Sequence, residues 1–374
     1  MKKVRDIFCV LLLFCTTMSC ENWLDVDPKT EIKSELMFQS VSGFKDALIG
    51  VYLTLRDPEL YGREATWGFV DAIGQQTDVQ DQSSAYYNAT RYNYSQTSGV
   101  SDALWSTAFN AIVNLNNMLE NLAAQANLFT PATYGVLKGE ALGLRAFLHF
   151  DLVRLFGWGN LAKKPENLEK LCMPYMTKYD KMLSDQLTVG EVLARIEEDL
   201  QESIALLNDN DPYGLAPKPD DYDLPNEDKF FDNREKRFNY WAAVCTLARV
   251  YMWMGKKSEA LELANSFIEK GGRTSWIDSY TIDAYYPKDR DLTFSREHVF
   301  ALDIAELFET IKHYINPDAN DPNRNADLLC HSSERAKKLF EAEDGKSTDY
   351  RYNHWYNTVN NYFDGWAFYK YWEV

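Results

Sequence analysis

The sequence predicts an all-α dominated fold, TPR-like helical hairpins joined by long irregular loops. Three observations carry that expectation. Apolar residues recur at i, i+3, i+4 and i+7 through much of residues 44–270, the spacing that turns one face of a helix toward a core. Capping residues stand where these runs begin and end. One pair of runs, about 239–270, combines the small residues Ala248 and Ala260 with Gly255 between them, as in a tetratricopeptide hairpin. An ordinary αα-hairpin is the alternative for that pair.

The helices follow in order. Phe44, Ala47, Leu48, Val51, Tyr52 and Leu55 form the first stripe, and Trp105, Ala108, Phe109, Ile112, Leu115, Leu119 and Leu122 the second. Thr130-Pro131 supplies an N-cap and a first-turn proline for a third helix, with Leu137, Ala141, Leu144, Leu148, Leu152 and Leu155 inward and Gly157 at its end. Thr188 and Glu191 are spaced as a capping box ahead of Val192, Ile196, Leu200, Ile204 and Leu207. Asp151 and Arg154, one turn apart, suit an ion pair on a helix side better than catalysis. Between helices, residues 60–103 and 271–330 are rich in aromatics, whereas 208–236 is rich in Asp, Asn and Pro and reads as solvated.

Charge and composition narrow the function. Of 374 residues, 39 are Lys or Arg and 56 Asp or Glu, a formal net charge of −17, which argues against a nucleic-acid partner because phosphate recognition needs basic clusters. With 45% hydrophobic and 25% charged residues the chain is of globular and not disordered type. Its excess is aromatic, 10 Trp, 23 Tyr and 20 Phe.

The first residues read as an export signal. Lys2, Lys3 and Arg5 precede the apolar run Ile7 to Cys15, too short to span a bilayer that needs about 20 residues. Small and polar residues then lead to Cys20, so residues 1–19 are expected to be a lipoprotein signal peptide and Cys20 the lipidated first residue of a domain covering 20–374. Membrane attachment would be by that lipid alone. An ordinary secretory signal is the alternative. Cys172, Cys245 and Cys330 are too few and too scattered for a disulfide framework.

Flat aromatic faces beside amide, carboxylate and guanidinium groups suit the stacking and hydroxyl bonding of sugars. On that ground the candidate ligand-binding residues are Trp67, Tyr86, Tyr87, Tyr92 and Tyr94, with Trp276, Tyr285 and Tyr286 as a second strip. Packing of these loops onto the helices is the competing role. Trp67→Ala, or Tyr86→Ala with Tyr87→Ala, is expected to weaken ligand binding without unfolding. No H-E-x-x-H, G-x-S-x-G or Walker pattern is present, so no catalytic residue is assigned; a glycoside hydrolase, which needs only two carboxylates among the 56 acidic residues, is the enzymatic alternative. No cofactor is expected. Asp318 to Asn323 and Asp220 to Asp223 read as solvated acidic loops, with structural calcium as the alternative, since neither stretch has the EF-hand spacing.

Several stretches together resemble the SusD/RagB family of outer-membrane nutrient-binding lipoproteins. They are the acidic lead-in Cys20-Glu21-Asn22-Trp23-Leu24-Asp25-Val26-Asp27-Pro28, the helix Arg145 to Gly157, the TPR-like hairpin, Ser295 to Ala301, and Leu339 to Asp344, in the family's order. The resemblance implies a SusD-like α-rich fold, no catalysis, capture of an oligosaccharide at the cell exterior, and delivery to a SusC-type TonB-dependent transporter. Peptide capture, as in RagB-like relatives, and a TPR-like envelope scaffold are the alternatives. Family members usually continue past the position of Val374 with another TPR-like pair, so the resemblance also implies a C-terminally truncated or short member.

Overall fold

The computed structural model describes residues 36–79, 81–271, 276–282, 284, 290, 291, 293–315, 329–331, 333–342, 347–349, 351, 352, 356–358 and 366–368. Cys20, Tyr285, Tyr286 and the stretch Asp318 to Asn323 lie outside these residues. The main helices are α1 (Val41–Leu55), α4 (Ser98–Ala124), α5 (Pro131–Phe156), α6 (Val189–Asn210), α7 (Tyr240–Met254) and α8 (Lys257–Lys270). Between α1 and α4 lie two short helices, α2 (Phe69–Ile73) and α3 (Ala85–Ala89). Beyond α8 come α9 (Ser279–Ile282), α10 (Leu307–Ile315) and α11 (Ser333–Leu339). Strands β1 (Leu171–Met173) and β2 (Leu187–Thr188) pair antiparallel, and β3 (Cys330–His331), β4 (Tyr356–Thr358) and β5 (Trp366–Phe368) form a sheet in the order β3-β5-β4.

Helix ends sit where their side chains can satisfy orphan backbone groups. Thr130 Oγ1 accepts from the Thr133 amide with Pro131 in the first turn, and Gly157 ends α5. Thr188 and Glu191 complete both halves of the capping box. Gly255 adopts φ 79°, a left-handed conformation that only glycine takes without strain, and so turns α7 back along α8. Helices α7 and α8 lie against each other, and α7 also meets α6. A helical hairpin therefore occupies the stretch that the small residues mark.

Helix α5 differs from expectation. Its apolar stripe points inward, but so does most of the rest of its surface, including Glu140, Arg145 and His149. It is a central helix packed between α4 and α6, and a helix enclosed on all sides needs no polar face. Close approach is made possible by glycine: a Cβ at Gly143 would stand 2.2 Å from the Phe238 ring, and one at Gly139 would stand 2.8 Å from Leu207. Ser203 of α6 donates to the Gly139 carbonyl at 2.6 Å across that contact.

Buried charge on α5 is fully engaged. Arg145 makes a two-pronged contact with Asp199 at 2.7 and 2.8 Å and reaches Asn116 at 2.9 Å, while Tyr175 donates to Asp199 at 2.5 Å. His149 stacks on Tyr175 with ring centroids 3.9 Å apart. Its Nδ1 lies 2.8 Å from the Arg145 carbonyl and its Nε2 accepts from the Met176 amide at 3.1 Å, a pattern that requires neutral imidazole. Burial accordingly pushes the His149 pKa down to about 3. The Asp151–Arg154 pair forms as expected, and Tyr61 also donates to Asp151 at 2.8 Å.

Residues 208–236 depart most from the sequence reading. Asp211, Phe231 and Arg234 are buried. Arg234 donates to both Glu140 and Asp211, and Glu140 also receives Arg237 at 2.9 Å and the Tyr52 hydroxyl. Burial alone would raise the Glu140 carboxyl, yet Arg234 and Arg237 hold it below the usual range. Asp211, less richly paired, is pushed up by burial. The segment is a strap threaded over α5, because its charges find partners that a solvated loop would lack.

Candidate ligand-binding surface

The aromatic segment after α1 is organised around one buried carboxylate. Glu64 accepts from the Tyr86 hydroxyl at 2.9 and 3.0 Å, from Arg63 Nε at 2.7 Å and from the Phe69 amide at 3.0 Å. Arg63 extends the cluster to the Tyr314 hydroxyl at 2.7 Å, and the Trp67 and Tyr314 rings meet edge to face at 5.3 Å. Trp67 Nε1 donates to the Gly62 carbonyl at 3.1 Å.

This geometry places two of the expected site residues inside the fold. Trp67 and Tyr86 are 5% and 4% exposed, so neither stands open to solvent, and Trp67 reaches only the wall of a cleft of about 300 Å³ beside Phe147 and Phe300. Both went inside because each polar handle has a buried partner, which removes the penalty for burying an indole or a phenol. Their replacement by alanine would damage the core, contrary to the expectation of weakened binding without unfolding.

What the core does not take is presented outward. Tyr92 and Tyr94 are 53% and 56% exposed, with ring centroids 6.3 Å apart and planes at 49°. Tyr92 has φ 57°, so the backbone turns sharply between α3 and the 3-10 turn Tyr94–Gln96. Asn93 bridges the two arms: its Nδ2 donates to Asn88 Oδ1 at 3.1 Å and its Oδ1 accepts from Ser95 at 3.0 Å. Tyr87 is half-buried and carries the Arg91 guanidinium over its ring at 3.4 Å. Gln75 ties this ledge to the preceding loop through the Thr90 carbonyl at 2.6 Å. Two tilted aromatic faces, amide groups between them and an adjacent guanidinium thus share one rigid surface.

A second exposed bank begins at Trp276, 77% exposed, with Tyr280 likewise open to solvent. Asp278 caps α9 through the Thr281 amide at 2.7 Å, and Glu297 holds the Ile277 amide at 2.8 Å. Tyr285 and Tyr286 are not among the described residues. Sequence reasoning separated neither Trp67 from Trp276 nor Tyr86 from Tyr92. A signal was available in Arg63-Glu64, a charged pair set between the aromatics Tyr61 and Trp67, whose carboxylate could orient an inward tyrosine.

Among the described residues no three His, Cys, Asp or Glu side chains converge as metal ligands do, and Asp220, Asp221 and Asp223 all face solvent. Cys245 is mostly enclosed, and burial pushes its thiol up to about 11, the character of a packing residue. Among the described residues no helix is long and apolar enough to cross a membrane.

Comparison with known proteins agrees with the helical architecture. Residues 22–219 match a SusD-like family described as starch-binding and associating with the outer membrane. SusD-like protein P25 of Formosa agariphila is 22% identical over 317 residues, which cover 81% of this chain and 52% of that protein. The chain thus spans about half the length of that relative. A SusD superfamily protein from Bacteroides thetaiotaomicron superposes with a TM-score of 0.63 at 20% identity, covering 87% of this chain and 66% of that one. A SusD-like carbohydrate-binding protein from Bacteroides vulgatus gives 0.58 at 17% identity, covering 86% and 61%. At such identities the superpositions speak for the fold, while the family match extends over more than half of the sequence; on that match, the chain belongs to the SusD-like family.

Proposed function

We propose that the protein is a surface-exposed outer-membrane lipoprotein that binds an oligosaccharide, without turning it over, and passes it to a SusC-type TonB-dependent transporter. The observation that carries this reading is the Tyr92–Tyr94 ledge. Two open aromatic rings beside Asn88, Arg91 and Asn93 match the alternation of C–H faces and hydroxyls on a sugar chain. The family's description as starch-binding and outer-membrane-associated supports it, as does the carbohydrate-binding name of one structural relative. Tyr87 extends the proposed surface, and Trp276 belongs to a second proposed strip. Cys20 would carry the lipid. Tethering both the ledge and the transporter in one membrane raises their effective concentration, so each contact can be weak and still useful.

The reading is tested by titrating the protein with neutral and acidic oligosaccharides. Tyr92→Ala with Tyr94→Ala should weaken neutral glycan binding about tenfold, the loss of one to two stacking contacts. New reducing ends on prolonged incubation would contradict it. Pull-down from detergent-solubilised native membranes should recover a β-barrel transporter as the main partner, and its absence would remove the delivery step.

A further inference from the structure

A cleft of about 400 Å³ lies where the 235–239 end of the strap, the α7–α8 pair and the 295–299 turn meet. That is the size of a small-ligand site. Trp241 and Phe267 form its floor, edge to face at 5.5 Å. Lys236, Arg296 and His298 line it together with Glu235. Three groups able to carry positive charge around one cleft are unexpected in a chain of net charge −17.

His298 is turned to the Thr293 carbonyl at 2.9 Å, and the fold leaves Lys236 and Arg296 largely unspent. Lys236 makes no ion pair among the described residues. Arg296 has one carboxylate neighbour, Asp278 at 3.7 Å, and both are more than half exposed, so little holds that pair together. Glu235 is steadied by the Tyr213 hydroxyl at 3.3 Å. The backbone beneath is fixed: the Lys236 amide donates to Asn233 at 3.0 Å, its carbonyl accepts from Ala301 at 2.9 Å, and the adjoining Arg234 is anchored in the core. Asn239, next along the strap, caps α7.

We infer that this cleft is a carbohydrate site separate from the Tyr92–Tyr94 ledge, built for a sugar unit bearing a carboxylate. The aromatic floor suits the ring's C–H face. Lys236 and Arg296 suit a uronate carboxylate, and Glu235 suits hydroxyl donors while disfavouring a phosphate dianion. The assignment rests on the glycan-binding reading above and narrows it to an acidic class at this place.

The test is calorimetric titration of the full chain in detergent. The probes are neutral gluco-oligosaccharides and short oligomers of galacturonate, guluronate, mannuronate and glucuronate. At least one uronate oligomer should bind, and Lys236→Ala with Arg296→Ala should weaken it about tenfold or more. Tyr92→Ala with Tyr94→Ala should leave that binding in place. Arg195→Ala with Lys257→Ala, an equal loss of charge elsewhere, should change it little. Uronate binding that survives loss of Lys236 and Arg296, an equal loss in the control pair, or no uronate binding at all overturns the inference. In each of those cases, retained binding of neutral glycans leaves the broader reading standing, whereas failure of both probe classes removes both.

Discussion

Residues 60–97 and residues 208–239 both connect major helices, and their compositions are opposite. The first is aromatic and reads as a binding surface; the second is acidic and reads as solvated. In the folded protein each is split in the same way. The aromatic segment sends Trp67 and Tyr86 inward around Glu64 and leaves Tyr92 and Tyr94 outside. The acidic segment sends Asp211 and Arg234 inward to Glu140 and leaves Asp220 to Asp223 outside. Residue type did not decide the direction. Buried partners for the Trp67 indole, the Tyr86 hydroxyl and the terminal nitrogens of Arg234 did, because an unpaired polar group costs more to bury than an apolar side chain gains.

The largest disturbance is expected from Arg234→Leu, which takes the arginine partner from buried Asp211 and leaves Glu140 with Arg237 as its one counter-ion, at a cost of about 3–5 kcal/mol. Denaturant unfolding measures it, and a loss under about 1 kcal/mol would mean the strap is as dispensable as its composition implies. Trp67→Ala should cost about 3–5 kcal/mol by emptying a filled core site. Stability unchanged by that substitution, with weakened glycan binding, would restore the original reading of the aromatic segment.

Acid sensitivity separates scaffold from ledge. His149 has a folded pKa near 3, below an unfolded value of about 6.5. The unfolded chain therefore binds the proton first, and stability present above about pH 6.5 is lost as pH falls toward 3, by up to roughly 1.4 kcal/mol per pH unit. His149→Gln should flatten unfolding free energy across that window. Glu140, held low by two arginines, adds a further loss below the ordinary carboxylate range of about 4.3. The smallest effect is expected at the ledge: Tyr92→Ala with Tyr94→Ala should shift stability by no more than about 0.5 kcal/mol, since both rings already face water. A larger loss, read from the same unfolding curves, would show that these tyrosines hold the segment in place.

Much of the scaffold could be read from the chain itself. Thr130-Pro131, Thr188 with Glu191, and Gly255 act on backbone groups within a few residues, so their consequences are local and the helix ends fall where they indicate. The SusD-like membership was legible for a similar reason, in motifs that keep their order along the chain. The candidate surface was legible only as composition. Trp67 and Tyr92 are alike in kind and setting as letters, and their opposite fates depend on Gly62, Glu64 and Tyr314, the last nearly 250 positions away. The same holds for Arg234, whose partner Glu140 lies 94 residues earlier, and for the basic lining of Lys236 and Arg296. Helix periodicity and caps are short-range physics and are written in the sequence. The pairing of buried polar atoms is long-range, and tertiary structure alone decided which aromatics and charges it left free to meet a ligand.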